Sequence, residues 1–383
     1  MSSSKPLELN AVPASAPGYT DRGAHAEGSK NESALHTHTD THTPTLNHKD
    51  KHTKHKPNQH GALQRLRRRT ASLARGGSFV AFAIILIVFG LTAPGFASAP
   101  NLANIVAQSA LPGLLAFGLT IVIIGGGQNV ISGGIDLSLA ANLGLGAAVY
   151  ATLVHLGHSD AFAVAATLAT GLGIGALNAV TVIWLRLPPL LATLAAMNLV
   201  AGLELVLTQN TVVPADSPLL AMLAGTGPLG VPMLAWALVL IAALLIALIQ
   251  HTPFGLRLYA VGDYPDAARA SGLALKPYIA LTYLMSGLCG ALAALCSDAF
   301  FNGSTTGSGD MLLSVVAIAY LGVMFSRRLV PTISGSLIAT LFVGALINGF
   351  QLLNISSFWV NGVQGLLIIL VVAASTTLRH RED

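Results

Sequence analysis

An all-α bundle of about ten membrane-spanning helices is the fold class this sequence predicts, and three observations predict it. Of 383 residues, 53% are hydrophobic and only 9% are charged. A soluble domain carries roughly 25% charged residues, so this chain has too little polar surface to dissolve as a globule. From Phe79 onward, apolar runs alternate with short polar breaks, at lengths near the ~20 residues a helix needs to cross a bilayer. The cations between those runs fall on alternate breaks only, as they do when Lys and Arg stay in the cytoplasm.

The runs lie at 78–93, 104–124, 136–154, 161–185, 190–208, 232–250, 276–297, 311–325, 331–350 and 358–377. With the N-terminus placed in the cytoplasm, the inside breaks hold Arg186, then Arg257, Arg269 and Lys276, then Arg327 and Arg328, then Arg379 and Arg381. That is every Lys and Arg beyond the tail. The outside breaks hold Asp160, Asp216, Asp298 and Asp310 and no cation. A span added or lost in mid-chain would destroy the alternation, so both termini are expected in the cytoplasm.

Residues 1–75 differ in kind from the rest of the chain. They hold 12 Lys and Arg against 6 Asp and Glu, whereas residues 76–383 hold 8 against 10. The basic character therefore belongs to the tail, and a nucleic-acid partner is not expected; membrane lipid is. Ser, Thr, His, Lys and Pro dominate the tail, a composition that cannot bury a core, so 1–75 reads as a disordered cytoplasmic tail and 76–383 as the transmembrane domain. The tract His36–Lys56 packs in six histidines. His36, His38 and His42 could hold zinc or nickel, but no His/Cys pair has the spacing of a structural site, and we expect no metal. "RLRRRTASLAR" (Arg65–Arg75) marks the cytoplasmic flank of the first span. Cys289 and Cys296, seven apart in one apolar run, would sit about 10 Å apart along a helix, too far for a disulfide.

Catalytic signatures are missing. The chain has no Gly-Lys dipeptide and so no Walker pattern, no His-Glu-x-x-His and no Gly-x-Ser-x-Gly. "GLGIGALNA" (Gly171–Ala179), "LGLGAA" (Leu143–Ala148) and "GLCGALAA" (Gly287–Ala294) place small residues where helices can approach closely. Two acids fall within the predicted spans. An intramembrane acid suggests a functional site, yet Asp136 follows Gly133-Gly134 at a helix start, where it could equally accept bonds from free backbone N–H groups. Glu204 precedes "LTQNTVVPADSP" and reads as structural. "GGIDLS" (Gly133–Ser138) and "GSGDMLLS" (Gly307–Ser314) lie five spans apart on opposite faces; either an inverted repeat or chance produces such a pair.

One polar stretch interrupts the apolar text: "YAVGDYPDAARASG" (Tyr259–Gly272), on the predicted cytoplasmic side. Asp263 can cap a short helix, Pro265 suits its first turn, Asp266 sits three residues beyond the cap and Gly272 suits a left-handed exit. The result is about two turns of Ala-rich surface that could fit a partner's groove, or simply an inter-span loop.

Four passages resemble one family. "VIIGGGQNVISGGIDLSLAANLGLGA", "GIGALNAVTVIWLRLPPLLATLAAMNLVAGLELVLT", "TPFGLRLYAVGDYPDAARASGL" and "NISSFWVNGVQGLLIIL" are similar, in this order, to the permease subunits of bacterial ABC importers of the ribose and monosaccharide type, a family shared with branched-chain amino acid permeases. The likeness spans roughly residues 79–378. It implies a subunit of the inner membrane that carries a monosaccharide or similar solute inward and hydrolyses nothing itself. It also implies a cytoplasmic coupling helix at about 255–272 that docks on ATP-binding subunits holding ATP and Mg, with Gly255, Asp263, Asp266, Ala267, Ala268, Arg269, Ser271 and Gly272 as the coupling residues. An extracytoplasmic binding protein and a second permease chain complete the implied assembly, and Asn129, Asp136 and Ser138 are expected along the solute path. Four features depart from the family: the long tail, Asp-Tyr-Pro in place of Gly-Asn-x near Asp263, Arg327-Arg328 in the turn after the eighth span, and "GGGQNVIS", expanded before Gly133. The rival expectation is a secondary carrier driven by an ion gradient.

Overall fold

The computed structural model describes residues 79–80, 82–127, 133–326, 329–356, 359–366 and 369, all within the compact unit Asn58–Asp383. The tail with His36, His38 and His42, the pathway candidate Asn129 and the Arg327-Arg328 turn lie outside the described residues.

Helices account for nearly every apolar run, and the only strand-like pairings among the described residues are two isolated bridges. In chain order they are α1 (Phe82–Thr92), α2 (Ala99–Gln108), α3 (Ala110–Gly126), α4 (Leu139–His155), α5 (Asp160–Ile183), α6 (Pro189–Thr208), α7 (Pro218–Ala224), α8 (Met233–His251), α9 (Pro253–Asp263), α10 (Pro265–Ala270), α11 (Leu275–Phe301), α12 (Leu312–Phe325) and α13 (Ile333–Leu352). A last helical stretch covers 359–366. Among the described residues six helices are long and apolar enough to cross a bilayer by themselves, α12 counting with the 3-10 turn Ser308–Met311 before it, and seven when α2 and α3 count as one bent span. The apolar α1 and α4 are shorter and coincide with the first and third predicted runs. The tenth run continues beyond the described residues.

Where the structure departs from the predicted runs, a local cause is visible. The second run is not one straight helix. α2 and α3 meet at Ser109 with a 44° bend: Pro112 has no N–H for the Gln108 carbonyl four residues back and crowds it, and Ser109 Oγ donates to the Ile105 carbonyl at 2.6 Å, which adds to the bend. The third begins at Leu139 rather than Asp136, because residues 134–137 form no helix. The seventh runs past Ser297 to Phe301, which makes Asp298 a helical residue rather than part of an outside break.

α11 is the centre of the bundle. It packs against α3, α4 and α5, and 61% of its apolar window is buried, against 28% for α6 and for α8. Small residues allow this packing. A Cβ on Gly171 would strike the Gly287 carbonyl and one on Gly175 the Tyr283 carbonyl, so α5 and α11 cross backbone to backbone at a small-xxx-small step. Gly173, between them, faces open space. α6 turns the ridge Ala192, Ala196, Val200, Glu204 and Thr208, with Thr193 beside it, inward, while Leu191, Leu199, Leu203 and Val206 stay exposed, the apolar outer face a lipid-facing helix needs. Cys289 and Cys296 are free and buried.

Candidate functional site

Two places in the bundle concentrate polar chemistry, and a third carries the exposed polar segment. The first is the entry to α4. The irregular backbone before this helix leaves peptide groups without helical partners, and Asp136, 1% exposed, gathers the donors around it. Its Oδ1 accepts from Ser138 N at 3.0 Å, Ser138 Oγ at 2.7 Å and Asn178 Nδ2 at 3.2 Å. Its Oδ2 accepts from Ser286 Oγ at 2.7 Å. Asn178 Nδ2 also donates to Ser138 Oγ at 2.8 Å, and Tyr283 donates to the neighbouring Ile135 carbonyl at 3.4 Å. One carboxylate thus ties α4 to α5 and α11. Asn142, a turn further along α4, donates to the Gly287 carbonyl at 3.0 Å. Gly134 makes the approach feasible, since a Cβ there would strike the Val122 carbonyl. Sequence reasoning found Asp136 and Ser138 but missed Asn178 and Ser286, although both are polar residues inside apolar runs, the signal that flagged Asp136.

The second place is the far end of α4 and α11. Tyr150, fully buried, donates to Asp160 Oδ1 at 2.7 Å and lies 3.0 Å from Ser217 Oγ. Asp160 Oδ2 accepts from Leu219 N at 3.1 Å, and Ser217 Oγ accepts from Leu220 N at 3.2 Å. The short α7 is therefore latched to the ends of α4 and α5. The segment before it is sewn to the end of α11: Ala215 N donates to the Asn302 carbonyl at 3.2 Å, and Val213 N to Ser304 Oγ at 2.9 Å. A cleft opens here, lined by Val154, His155, Pro214, Ala215, Asp216 and Asn302. Glu204 is 4% exposed, bonded to Ser308 and set against Gly144, where a Cβ would collide with its carboxylate. Among the described residues no group of three His, Cys, Asp or Glu side chains could hold a metal.

The third place is α9–α10. Its helices are joined at Tyr264, which occupies the N-cap position of α10 with no side-chain cap bond; Asp263 closes α9 rather than capping α10. Gly272 takes the left-handed exit at φ +87°, and Leu273 N donates to the Ala268 carbonyl at 3.0 Å, as helix C-terminal motifs require. The predicted coupling residues divide by exposure. Asp263, Asp266, Ala267, Arg269, Ser271 and Gly272 are exposed, but Gly255 and Ala268 are buried. Gly255 packs directly on the Ile249 carbonyl and Ala268 faces the protein, so neither presents a surface. Two apolar side chains that sequence reasoning passed over, Leu256 and Tyr264, stand 73% and 71% exposed beside the charged pair Asp266–Arg269, whose closest approach is 3.6 Å.

The platform beneath is rigid. Gly262 lies on the Ile124 carbonyl and on Gly127 with no room for a Cβ, which joins α9 to the end of α3. Tyr259 donates to the Pro331 carbonyl at 2.7 Å, which joins α9 to the segment leading into α13. Burial, and then the Asp263 carboxylate, push the Tyr259 phenol above its ordinary range, so it stays a donor at any physiological pH.

A multi-span helical bundle with polar ties in its interior and a braced helical spur at one end is the architecture of a membrane permease. The chain belongs to the family described as branched-chain amino acid transport system / permease component, whose model matches residues 101–372. It is 35% identical to the ribose import permease protein of Bacillus subtilis over 299 residues, 77% of this chain and 91% of that one. It is 31% identical to the ribose import permease protein of Escherichia coli K12 over 301 residues, 77% and 91% of the two chains. The autoinducer 2 import system permease protein of Escherichia coli is 27% identical over 304 residues, 78% and 86%. The chain is thus an ABC importer permease subunit, a multi-pass protein of the inner membrane.

Proposed function

We propose that this permease carries a monosaccharide or a similar small polar solute into the cell, and that a separate ATP-hydrolysing subunit drives it by gripping α9–α10. The single observation that carries the reading is the spur itself. It is a two-turn helix with a polar and apolar exposed face formed by Leu256, Tyr264, Asp266, Ala267 and Arg269, mounted without slack on α3 and on the approach to α13. Inter-span loops are ordinarily mobile surface. A loop braced at Gly255, Tyr259 and Gly262 is built to transmit force. Arg257, Arg269 and Lys276 support a cytoplasmic position for it, with the N-terminus on the same side. The relatives named for ribose import support the solute class. An extracytoplasmic binding protein would deliver the solute, and a second permease chain would complete the path. ATP and Mg would reside on the ATP-binding subunit, since this chain has no Walker pattern.

The test is copurification from detergent of the wild type and of the Ala267→Glu, Arg269→Glu double variant, both exposed positions. Wild type should recover an ATP-binding subunit and the variant should not, at equal thermal stability. If wild type recovers none, and uptake collapses with the proton or sodium gradient, the ion-driven carrier is the correct reading.

A further inference from the structure

Asp298 stands apart from every other acid in the bundle. It is completely buried, and neither carboxylate oxygen receives a hydrogen bond from the described residues. Removing a carboxylate from water without donors is among the most expensive things a fold can do, and structural acids are therefore bonded, as Asp136 is. The donor closest to hand does not relieve it. Tyr150 lies within electrostatic reach of Asp298, yet its hydroxyl is committed to Asp160 and beside Ser217. Asp298 is an acceptor pair that the chain itself leaves unused.

Its position indicates what would use it. Asn302, which ends α11, lies one helical turn beyond Asp298, and its N–H bonds to the Asp298 carbonyl. Val154 lies one turn beyond Tyr150 on α4. Asn302 and Val154 both line the cleft, and residues a turn apart share a helix face. Tyr150 and Asp298 thus each lie one helical turn from a residue of the cleft, near the ends to which the segment 213–215 and α7 are bonded. By the cation rule this is the extracytoplasmic end.

We propose that Asp298 is a solute-binding residue of the translocation path, the first acceptor inside the extracytoplasmic mouth, and that its ligand is a neutral polyol donating two neighbouring hydroxyls to the two carboxylate oxygens. The inference rests on the importer reading above. A polyol fits because it supplies several donors while adding no charge. α7 must lift for the solute to enter, and the Tyr150–Asp160–Ser217 latch is what holds it in this closed arrangement.

The experiment is uptake of radiolabelled ribose, arabinose, xylose, glucose and galactose by cells producing the whole transporter with wild type, Asp298→Asn or Asp298→Ala permease. Protein yield and Tm in detergent are measured in parallel. Uptake of the transported sugar at sub-saturating concentration should fall at least about tenfold in Asp298→Ala, the loss of a strong hydrogen bond to the solute. It should fall less in Asp298→Asn, which keeps one acceptor. Yield and Tm should equal or exceed wild type, because a buried unpaired charge has been removed. Both variants transporting at the wild-type rate would overturn the proposal. So would a fall in Tm and yield, which would make Asp298 a structural group. Wild type carrying none of the five sugars would instead sink the sugar-importer reading, a result separable from either.

Discussion

Asp136 and Asp298 are both aspartates buried at 1% exposure or less in the packing of α11 against α4, and their surroundings treat them oppositely. At the entry to α4, four hydrogen bonds from Ser138, Asn178 and Ser286 converge on Asp136. At the far end of α11 not one reaches Asp298 among the described residues. Sequence position alone would rank them the other way, since Asp136 falls within a predicted span and Asp298 just outside one. The difference teaches that burial does not identify a working acid in a membrane bundle. The unspent hydrogen-bonding capacity does.

The sharpest way to break this comparison is to neutralise each acid in turn. Asp136→Asn puts an NH2 group among donors and loses several hydrogen bonds at once, so it should cost about 2–4 kcal/mol. It should appear as a large fall in Tm and in membrane yield. Asp298→Asn should leave Tm unchanged or higher. Equal shifts of the same sign would show that the two acids serve the same purpose.

Next in size is the removal of a single donor. Ser286→Ala leaves Asp136 Oδ2 without its partner and should destabilise by about 1–3 kcal/mol. Asn178→Ala should do at least as much, because Asn178 serves both Asp136 and Ser138. Thermal melts in detergent would measure both, and a double variant that costs no more than either single would confirm one shared network.

How much of this was legible beforehand depends on which physical signal each feature leaves. The positions of the apolar helices were readable because hydropathy acts over whole segments. The bend at Ser109 was also legible, since Pro112 cannot donate to the Gln108 carbonyl, but the predicted run was drawn on hydropathy alone and passed over it. Asp298 read as a loop residue because "SDAFFNGSTTG" turns polar while the backbone continues for another turn. α7 hid in the polar text between α6 and α8 for the same reason. Tyr259–Gly272 announced itself by composition, but which of its small residues face outward was invisible. Ala267 and Ala268 are identical in sequence terms, and only the packing of α10 turns one out and the other in.

Tyr150 separates the two ends more finely. Its hydroxyl belongs to the latch, not to Asp298, so Tyr150→Phe should cost about 1 kcal/mol, less than any change at Asp136. Its main consequence should be local: faster cleavage within 209–231 by an added protease, as α7 loses its hold. Unchanged cleavage would mean that Asp160 and Ser217 hold α7 without it.

The smallest effect tests the comparison at its most specific point. Ser297 adjoins Asp298 on α11 and is also fully buried, and its Oγ likewise has no partner among the described residues. If the unspent polarity around Asp298 were a weakness of packing, any group there would be equally dispensable to transport. If it serves the solute, the two neighbours should differ, because successive helical residues point about 100° apart and only Asp298 shares a face with Asn302 at the cleft. Ser297→Ala should therefore change stability by no more than about 0.5 kcal/mol and leave sugar uptake intact, while Asp298→Ala, one residue away, abolishes most of it. Loss of uptake in both would place the solute path against the whole end of α11 rather than against a single carboxylate.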